Sequence, residues 1–287
     1  MDRVVREDRR GARRRRGRAM SDETPRYARS ADGTRIAYEV HGDGPPLVLV
    51  DGALCSRAMG PGRSVAKALA DRYAAAVYDR RGRGASEGGV ADPGREFDDL
   101  RAVIDAVGGE ATVLGQSSGA ALAYRAAAAG VPMVALVGYE APWVGLMTEK
   151  DGRARDYAGD VRRLLDDGKP SKAVDYFFGR MIDAPAFLPY MMKLMRPQYR
   201  EMTKSAETLP NDIAVMGAEY RVPSAELSAI GVPTLVLVGE KAAPAMRAAQ
   251  EQVAAAVPGA RFEVLARQTH QVSAAALRDA LLQFAPA

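Results

Sequence analysis

One serine lies between two glycines where an apolar segment, residues 111–114, is followed by an alanine-rich one. The sequence there reads Gly115-Gln-Ser117-Ser-Gly119, which has the G-x-S-x-G spacing of a nucleophile elbow. A serine on so sharp a strand-to-helix turn has strained backbone, and only residues without a Cβ fit on either side of it. The N–H groups at the start of the following helix would favour a developing oxyanion. The spacing therefore predicts that Ser117 is a nucleophile.

A serine nucleophile needs a base, because an alcohol is weakly nucleophilic near neutral pH. The chain has two histidines, His41 and His270, to supply one. The base in turn needs a carboxylate that holds one tautomer and stabilises the imidazolium. Glu140 and Glu240 each stand at the end of a predicted strand, and both remain candidates for this acid.

Short apolar segments alternate with helical segments through most of the chain. Strands are predicted at residues 35–40, 47–50, 74–78, 111–114, 133–139, 233–238 and 262–265. Helices are predicted at residues 64–72, 96–107, 120–129, 244–257 and 273–284. Continuous apolar strands that alternate with helices indicate an α/β fold with a mostly parallel central sheet, covered by helices on both faces.

The strand signal vanishes between residues 143 and 222, where the apolar period becomes helical. We expect this segment to be a helical cap inserted after the sixth strand. The core domain would then comprise residues 26–142 and 223–287. The cap is rich in methionine and aromatic residues, which predict an adaptable apolar wall for a binding pocket. Its methionines include Met181, Met191, Met192, Met195, Met202 and Met216.

The basic composition is concentrated at the N-terminus. Residues 1–19 hold nine arginines and three acids, a net charge of +6, whereas the whole chain is +4, so residues 20–287 carry −2. We expect residues 1–25 to be a disordered basic arm, with Met20 as an alternative start. The run at residues 13–16 leaves open a tether to nucleic acid, but the mildly acidic remainder predicts no nucleic-acid groove.

Other composition features place the chain among globular proteins of a reducing compartment. No apolar run is long enough to span a membrane, and a single cysteine, Cys55, allows no internal disulfide. We therefore expect a cytoplasmic protein without membrane association, and a homodimer is compatible with this. Two distant histidines and one cysteine predict no metal site. The absence of G-x-G-x-x-G before a helix predicts no dinucleotide, so we expect no cofactor.

Four landmarks in chain order resemble those of the α/β-hydrolase family. They are the turn GDGPP at residues 42–46, the turn DRRGRGAS at residues 79–86, the elbow at Ser117, and the pair Thr269-His270. The resemblance covers about residues 27–287. The runs GYEAP at residues 138–142 and RQTH at residues 267–270 are similar to those of small capped bacterial serine hydrolases.

This resemblance implies roles for the candidate residues. The family's base lies in the loop after the last strand, which is the place of His270, and His41 is then structural or solvated. The family's usual acid lies a few residues beyond the next-to-last strand, but Ala242 or Ala243 occupies that position here. Some members place the acid at the end of the sixth strand instead, which favours Glu140. Glu240 remains the alternative, although it precedes Lys241 and could form only a surface ion pair.

The resemblance also implies an oxyanion hole of two backbone N–H groups. One belongs to Ser118, and the other comes from the loop after the second apolar strand, where Ala53 is expected and Leu54 is the alternative. In that loop the family commonly has His-Gly, whereas this chain has Asp51 before glycine. We expect Cys55, which is close by, to be a buried, inert thiol.

The predicted function is hydrolysis of an ester, thioester or lactone of an apolar small molecule, by Ser117, His270 and Glu140. Three alternatives remain open at this stage. The same residues could hydrolyse a C–C bond or support peroxide-dependent acid chemistry. Because the usual aspartate is missing, a third alternative is a catalytically silent ligand-binding protein with the same fold. We expect Asp79 and Ser86 only to brace their turn.

Overall fold

Eight strands form a single sheet in a computed structural model that describes residues 25–149, 151–185 and 187–285. The strands are β1 (Arg26–Arg29), β2 (Arg35–His41), β3 (Pro46–Val50), β4 (Ala74–Tyr78), β5 (Thr112–Gln116), β6 (Ala135–Tyr139), β7 (Thr234–Gly239) and β8 (Arg261–Leu265). Their spatial order is β1-β2-β4-β3-β5-β6-β7-β8. Only the pairs β1–β2 and β2–β4 are antiparallel. The predicted mostly parallel sheet is confirmed.

Helices connect the strands and fill the segment between β6 and β7. They are α1 (Gly62–Leu69), α2 (Pro93–Val107), α3 (Ser118–Ala128), α4 (Tyr157–Asp166), α5 (Pro170–Tyr176), α6 (Phe187–Leu194), α7 (Arg196–Ser205), α8 (Leu209–Met216), α9 (Ser224–Leu227), α10 (Pro244–Ala256) and α11 (Ala274–Phe284). A π-helical turn, Phe177–Met181, follows α5, and a 3₁₀ turn, Ala206–Thr208, precedes α8.

The sheet is buried on both faces, as the continuous apolar strands predict. Val48 and Val113 pack into one apolar cluster together with residues of α2 and α3. Leu49 and Leu114 point to the other face, where they pack with residues of α1 and α11. Because successive side chains of a strand alternate between faces, each central strand contributes to both clusters.

Several element bounds differ from the predicted ones for local reasons. β1 is not predicted from the sequence, since it has four residues, RYAR, of which only Ala28 is buried. α2 begins three residues earlier than predicted, because the Asp92 side chain accepts the Arg95 N–H and Pro93 occupies the first turn. α1 spans Gly62–Leu69 rather than residues 64–72. His41 ends β2 instead of opening a turn, and its ring bonds to Glu39.

The inserted segment is helical, as predicted. An isolated antiparallel bridge pairs Val144 with Arg221, and it joins the two ends of the insertion. The Trp143 indole N–H donates to the Met216 carbonyl at 3.1 Å, which ties the start of the segment to the end of α8. We keep residues 143–222 as the proposed extent of the cap.

The methionine and aromatic residues of the insertion fall into two environments, which the sequence does not separate. Met202, Met216, Tyr157 and Tyr220 are buried in the core cluster. Four of those in α6 and its C-terminal flank are exposed, namely Phe187, Tyr190, Met191 and Met195, whereas Met192 of the same helix is partly buried against the core cluster. The adaptable apolar wall for a binding pocket stays a prediction.

The predicted arm at residues 1–25 lies outside the described residues except for Pro25, and so do the arginines at 13–16 and Met20. Within the described residues, the helices are too short or too polar to cross a membrane. The same part of the chain contains no group of three or more histidine, cysteine, aspartate or glutamate side chains arranged to hold a metal ion.

Candidate active site

Three parallel strands, β5, β6 and β8, end at the same edge of the sheet and carry the predicted chemistry there. Ser117 directly follows β5 and Glu140 directly follows β6, while His270 lies in the loop after β8. Parallel pairing sets Gln116 of β5 opposite Tyr139 of β6. The Ser117 N–H then donates to the Tyr139 carbonyl at 2.9 Å, so that the two carboxyl ends stay together.

The turn at Ser117 has the strained geometry that the sequence predicts. Ser117 has φ of 56° and ψ of −129°, in a region that residues with a side chain rarely adopt. A Cβ on Gly119 would lie 2.2 Å from the Val50 carbonyl oxygen, and one on Gly115 would lie 2.6 Å from the Ala120 Cα. Both glycines are therefore required by close packing around the turn.

The three side chains form a continuous hydrogen-bonded chain. Ser117 Oγ lies 3.2 Å from His270 Nε2, and His270 Nδ1 lies 2.6 Å from Glu140 Oε2. A carboxylate only accepts, so Nδ1 carries the proton and Nε2 presents its lone pair to the serine hydroxyl. About half of the His270 side chain, 51%, is exposed, whereas that of Glu140 is 1% exposed.

Glu140 is fixed by its backbone as well as by its side chain. Its φ of 49° turns the chain sharply after β6, and its second oxygen, Oε1, accepts the Gly239 N–H at 2.9 Å. Glu240 makes a different contact: its Oε2 accepts the Arg267 N–H at 2.6 Å, in an exposed position. The geometry thus brings Glu140 to His270 and attaches Glu240 to a neighbouring turn.

The loop after β3 lies directly against the elbow. A Cβ on Gly52 would approach Ser117 Cβ to 3.0 Å, and Leu54 has a φ of 61°. Within the described residues, the N–H groups of Ser118 and Ala53 donate to no backbone carbonyl. Ser118 begins α3, where backbone N–H groups have no partner inside the helix. Both amides, and that of the alternative Leu54, are therefore free of a backbone acceptor among the described residues, as the predicted oxyanion hole requires.

Asp51, in place of the family's histidine, is buried beside this loop. Its Oδ2 accepts the Gly62 N–H at 3.2 Å, and its Oδ1 has no partner among the described residues. Burial raises the pKa of Asp51 to about 7, with smaller opposing effects of the hydrogen bond from Gly62 and of Arg83. Cys55 is partly exposed rather than buried, but desolvation raises the pKa of its thiol to about 12, which disfavours a thiolate.

Asp79 and Ser86 brace their turn, as the sequence analysis anticipates. Asp79 accepts the backbone N–H groups of Arg57 and Ala85 at 2.6 and 2.9 Å. The Ser86 hydroxyl donates to the Asp79 carbonyl at 2.6 Å and accepts the Ala37 N–H at 2.8 Å.

A buried charge cluster lies behind the site, and it is not predicted from the sequence. Arg80 and Arg83, from the same turn, both bind Asp212 of α8 at 2.6 Å. Ser118 Oγ donates to Asp212 Oδ1 at 2.8 Å. The density of arginine in residues 79–86 is the signal that could have indicated buried acidic partners, since an arginine without one is rarely buried.

Known proteins of one family share this architecture. A family model described as "Alpha/beta hydrolase family" matches residues 40–285. This chain is similar to an alpha/beta hydrolase from Sphaerobacter thermophilus DSM 20745 whose crystal structure is known. The two sequences are 38% identical, and the structures superpose with a TM-score of 0.82 over 90% of this chain and 99% of that one.

Two further structures share the fold at lower identity. A thermophilic esterase from Thermogutta terrifontis is 21% identical, with a TM-score of 0.69 over 91% of this chain and 99% of its own. The enol-lactonase from Burkholderia xenovorans LB400 is 20% identical, with a TM-score of 0.67 over 90% and 99%. A comparison with curated proteins found no match.

Proposed function

We propose that this chain, which belongs to the alpha/beta hydrolase family, is a serine hydrolase that cleaves an ester, thioester or lactone bond of an apolar small molecule. Membership of the family makes the chain an enzyme of the hydrolase class. The proposal adds the bond, the residues and the kind of substrate. It involves no cofactor.

The observation that carries the proposal is the unbroken contact from Glu140 through His270 to Ser117. The glutamate is buried and holds the imidazole in the tautomer that can accept the serine proton. The serine stands on a strained turn at the start of α3, where the helix N-terminus favours negative charge. Each feature favours acyl transfer.

In the first half of the reaction, Ser117 Oγ attacks the substrate carbonyl carbon while its proton moves to His270 Nε2. The carbonyl oxygen becomes an oxyanion that accepts hydrogen bonds from the Ser118 and Ala53 N–H groups. Glu140 stabilises the imidazolium through Nδ1. The tetrahedral intermediate collapses when His270 returns the proton to the leaving group, and an acyl-serine remains.

In the second half, water takes the place of the leaving group. His270 removes a proton from the water, the hydroxide attacks the acyl carbon, and the same oxyanion donors stabilise the second tetrahedral intermediate. Ser117 leaves with the proton from His270, and the acid product is released. The apolar substrate class is supported by the methionine and aromatic residues of the insertion that pack near the core, among them Phe178, Met181 and Met192.

The test combines ester hydrolysis with intact-mass detection of a fluorophosphonate adduct. We expect the parent to hydrolyse short-chain p-nitrophenyl esters and to gain a single adduct. Ser117→Ala should lose the adduct and nearly all turnover, whereas Cys55→Ala should keep both, because its thiol is not the nucleophile. A folded parent protein that forms no adduct, and that binds a p-nitrophenyl ester but leaves it unmodified after long incubation, would contradict the proposal and support a ligand-binding protein.

A further inference from the structure

The proposed oxyanion hole rests on a charge cluster that joins the core to the inserted helices. The cluster consists of Arg80, Arg83, Glu96 and Asp212, all at least 96% buried. Two arginines and two carboxylates make it neutral as a whole. A buried charge is tolerated only when it is paired, so each member depends on the others.

Asp212 is the member that belongs to the insertion, and it divides its two oxygens between the two arginines. Oδ1 accepts from Arg80 Nη1 at 2.6 Å, and Oδ2 accepts from Arg83 Nη2 at 2.6 Å. Arg80 is also held by Glu96 of α2 through two bonds of 2.8 and 2.6 Å. Arg83, in contrast, has no other carboxylate among the described contacts.

One half of the oxyanion hole is attached to Asp212 directly. The Ser118 hydroxyl donates to Asp212 Oδ1 at 2.8 Å and lies 3.3 Å from Arg80 Nη1. The backbone N–H of the same residue is the first proposed oxyanion donor. A displacement of Asp212 would therefore move the residue that carries this donor.

The other half is attached through Arg83. Its Nη1 donates to the Gly52 carbonyl at 2.8 Å, and its Nη2 donates to Asp212. Gly52 directly precedes Ala53, which carries the second proposed donor. The guanidinium group therefore fixes the Gly52–Ala53 peptide group, to which this N–H belongs, and transmits the position of Asp212 to it.

Side chains next to Asp212 also attach α8 to the core. Thr208 Oγ1, just before the helix, accepts from Arg83 Nε at 2.9 Å. Asn211 bonds the backbone of the loop that precedes α2 twice, at the Gly89 carbonyl and the Ala91 N–H. Three residues of this short segment thus bind core groups. Asp212 alone among them is linked to both proposed donors, to Ser118 directly and to the Gly52–Ala53 peptide through Arg83.

We propose that Asp212 is a positioning residue which couples the seating of α8 on the core to the alignment of both oxyanion donors, Ser118 and Ala53. The inference rests on the proposed function, because an oxyanion hole matters only if Ser117 transfers acyl groups. Asp212 touches no reacting atom. Its contribution is the placement of the donors, and a misplacement of about 1 Å can cost about a hundredfold in rate.

The test compares Asp212→Asn with Asp99→Asn in turnover of a p-nitrophenyl ester. Asp99 of α2 is a matched control, because it is 1% exposed and binds Arg81 through two bonds of 2.9 and 2.6 Å. Among the described hydrogen bonds and ion pairs, none joins Asp99 or Arg81 to Ser118 or Gly52. Both variants replace a buried carboxylate by an amide in an arginine pair.

We expect Asp212→Asn to lower kcat by about tenfold to a hundredfold, somewhat less than complete loss of an oxyanion donor, with KM changed less than about threefold. Asp99→Asn should keep kcat within about twofold. Equal kcat in both variants and the parent would overturn the inference. If Asp212→Asn fails to fold, Ser118→Ala keeps the cluster neutral, and a parental kcat in that variant would overturn the direct half of the coupling.

A fluorophosphonate readout separates this inference from the proposed function. A parent that forms no adduct at Ser117 contradicts both. A parent that forms the adduct rapidly, with Asp212→Asn equally fast, contradicts only the role of Asp212. Slow labelling in Asp212→Asn and parental labelling in Asp99→Asn support it. Because Arg81 also binds Asp32, whereas Arg83 has no second carboxylate among the described contacts, the nearly unchanged KM of Asp212→Asn is what separates a positioning role from a merely structural one.

Discussion

Two buried aspartates stand next to the proposed oxyanion hole, one in the core and one in the inserted helix α8. Asp51 has one oxygen on the Gly62 N–H and one without a partner. Asp212 has both oxygens on arginines and a third bond from Ser118. Burial is similar, 4% exposed in each case, but the surroundings differ.

The pKa values of the two carboxyl groups consequently shift in opposite directions. Burial pushes the pKa of both upward. At Asp212 the guanidinium groups of Arg80 and Arg83 outweigh burial and hold its pKa below the usual range. At Asp51 burial prevails over the hydrogen bond from Gly62 and the charges of Arg83 and Arg80, Asp79 adds to it, and the pKa rises to about 7. Partners, not depth, decide which carboxylate is a stabilising charge.

The largest expected effect is that of Asp212→Asn on the free energy of unfolding. The substitution leaves Arg83 buried without a carboxylate, and breaking a buried pair in this way costs about 3–5 kcal/mol. A lowered carboxyl pKa contributes stability above its unfolded value and loses it as the pH falls through the folded value. The loss should therefore be constant from about pH 5 upward.

Urea unfolding of the parent and Asp212→Asn at pH 5, 7 and 9 measures this. A loss below about 1 kcal/mol, or one confined to a narrow pH range, would mean that α8 is held mainly by apolar packing. In that case the contrast with Asp51 would disappear.

Asp51→Asn should have an effect of opposite sign. The raised pKa means that the folded protein binds the proton more tightly than the unfolded chain. Stability from this group is complete below the unfolded value of 3.8 and is lost as the pH rises to about 7. Since each pKa unit corresponds to about 1.4 kcal/mol, the ionised carboxylate costs up to about 4 kcal/mol above pH 7.

The variant should therefore be more stable than the parent at pH 8, by about 2–4 kcal/mol, and close to it at pH 4. The asparagine oxygen can keep the Gly62 N–H, while its amide takes the place of the unpartnered oxygen. The measurement is thermal unfolding of parent and variant at both pH values. An equal difference in Tm between the two proteins at pH 4 and at pH 8 would show that Asp51 does not titrate in this range.

The smallest effect is expected on α6, which is as short as α8 but turned outward. Phe187 and Leu194 are 65% and 62% exposed, so Phe187→Ser and Leu194→Ser should change the free energy of unfolding by less than about 0.5 kcal/mol. Leu209→Ala in α8, where the leucine is 0% exposed, should cost about 2–5 kcal/mol. A larger, concentration-dependent loss in the α6 variants would indicate that a second copy covers this helix.

The sequence predicts the chemistry of the site better than its support. Ser117, Glu140 and His270 follow strand ends, and parallel strands bring their carboxyl ends to one edge, so the pattern predicts that such residues lie close together. It does not decide between Glu140 and Glu240, because both follow strand ends. The sequence pattern cannot predict the role of Asp212, because nothing in a short apolar helix indicates which turn of the core its one acidic residue will contact. For the same reason α6 and α8 cannot be told apart by composition: both are apolar, and only packing decides which is buried.

The most direct test of the central claim is the fluorophosphonate labelling rate of Ser117 in Glu140→Gln and Glu240→Gln, followed by intact mass. Glutamine at 140 no longer holds His270 in the tautomer that accepts the serine proton, so labelling should slow by about a hundredfold or more. Glutamine at 240 only changes a contact with Arg267 and should leave the rate within about twofold. Equal rates for Glu140→Gln and the parent would contradict the account, and a loss confined to Glu240→Gln would move the acid to that residue.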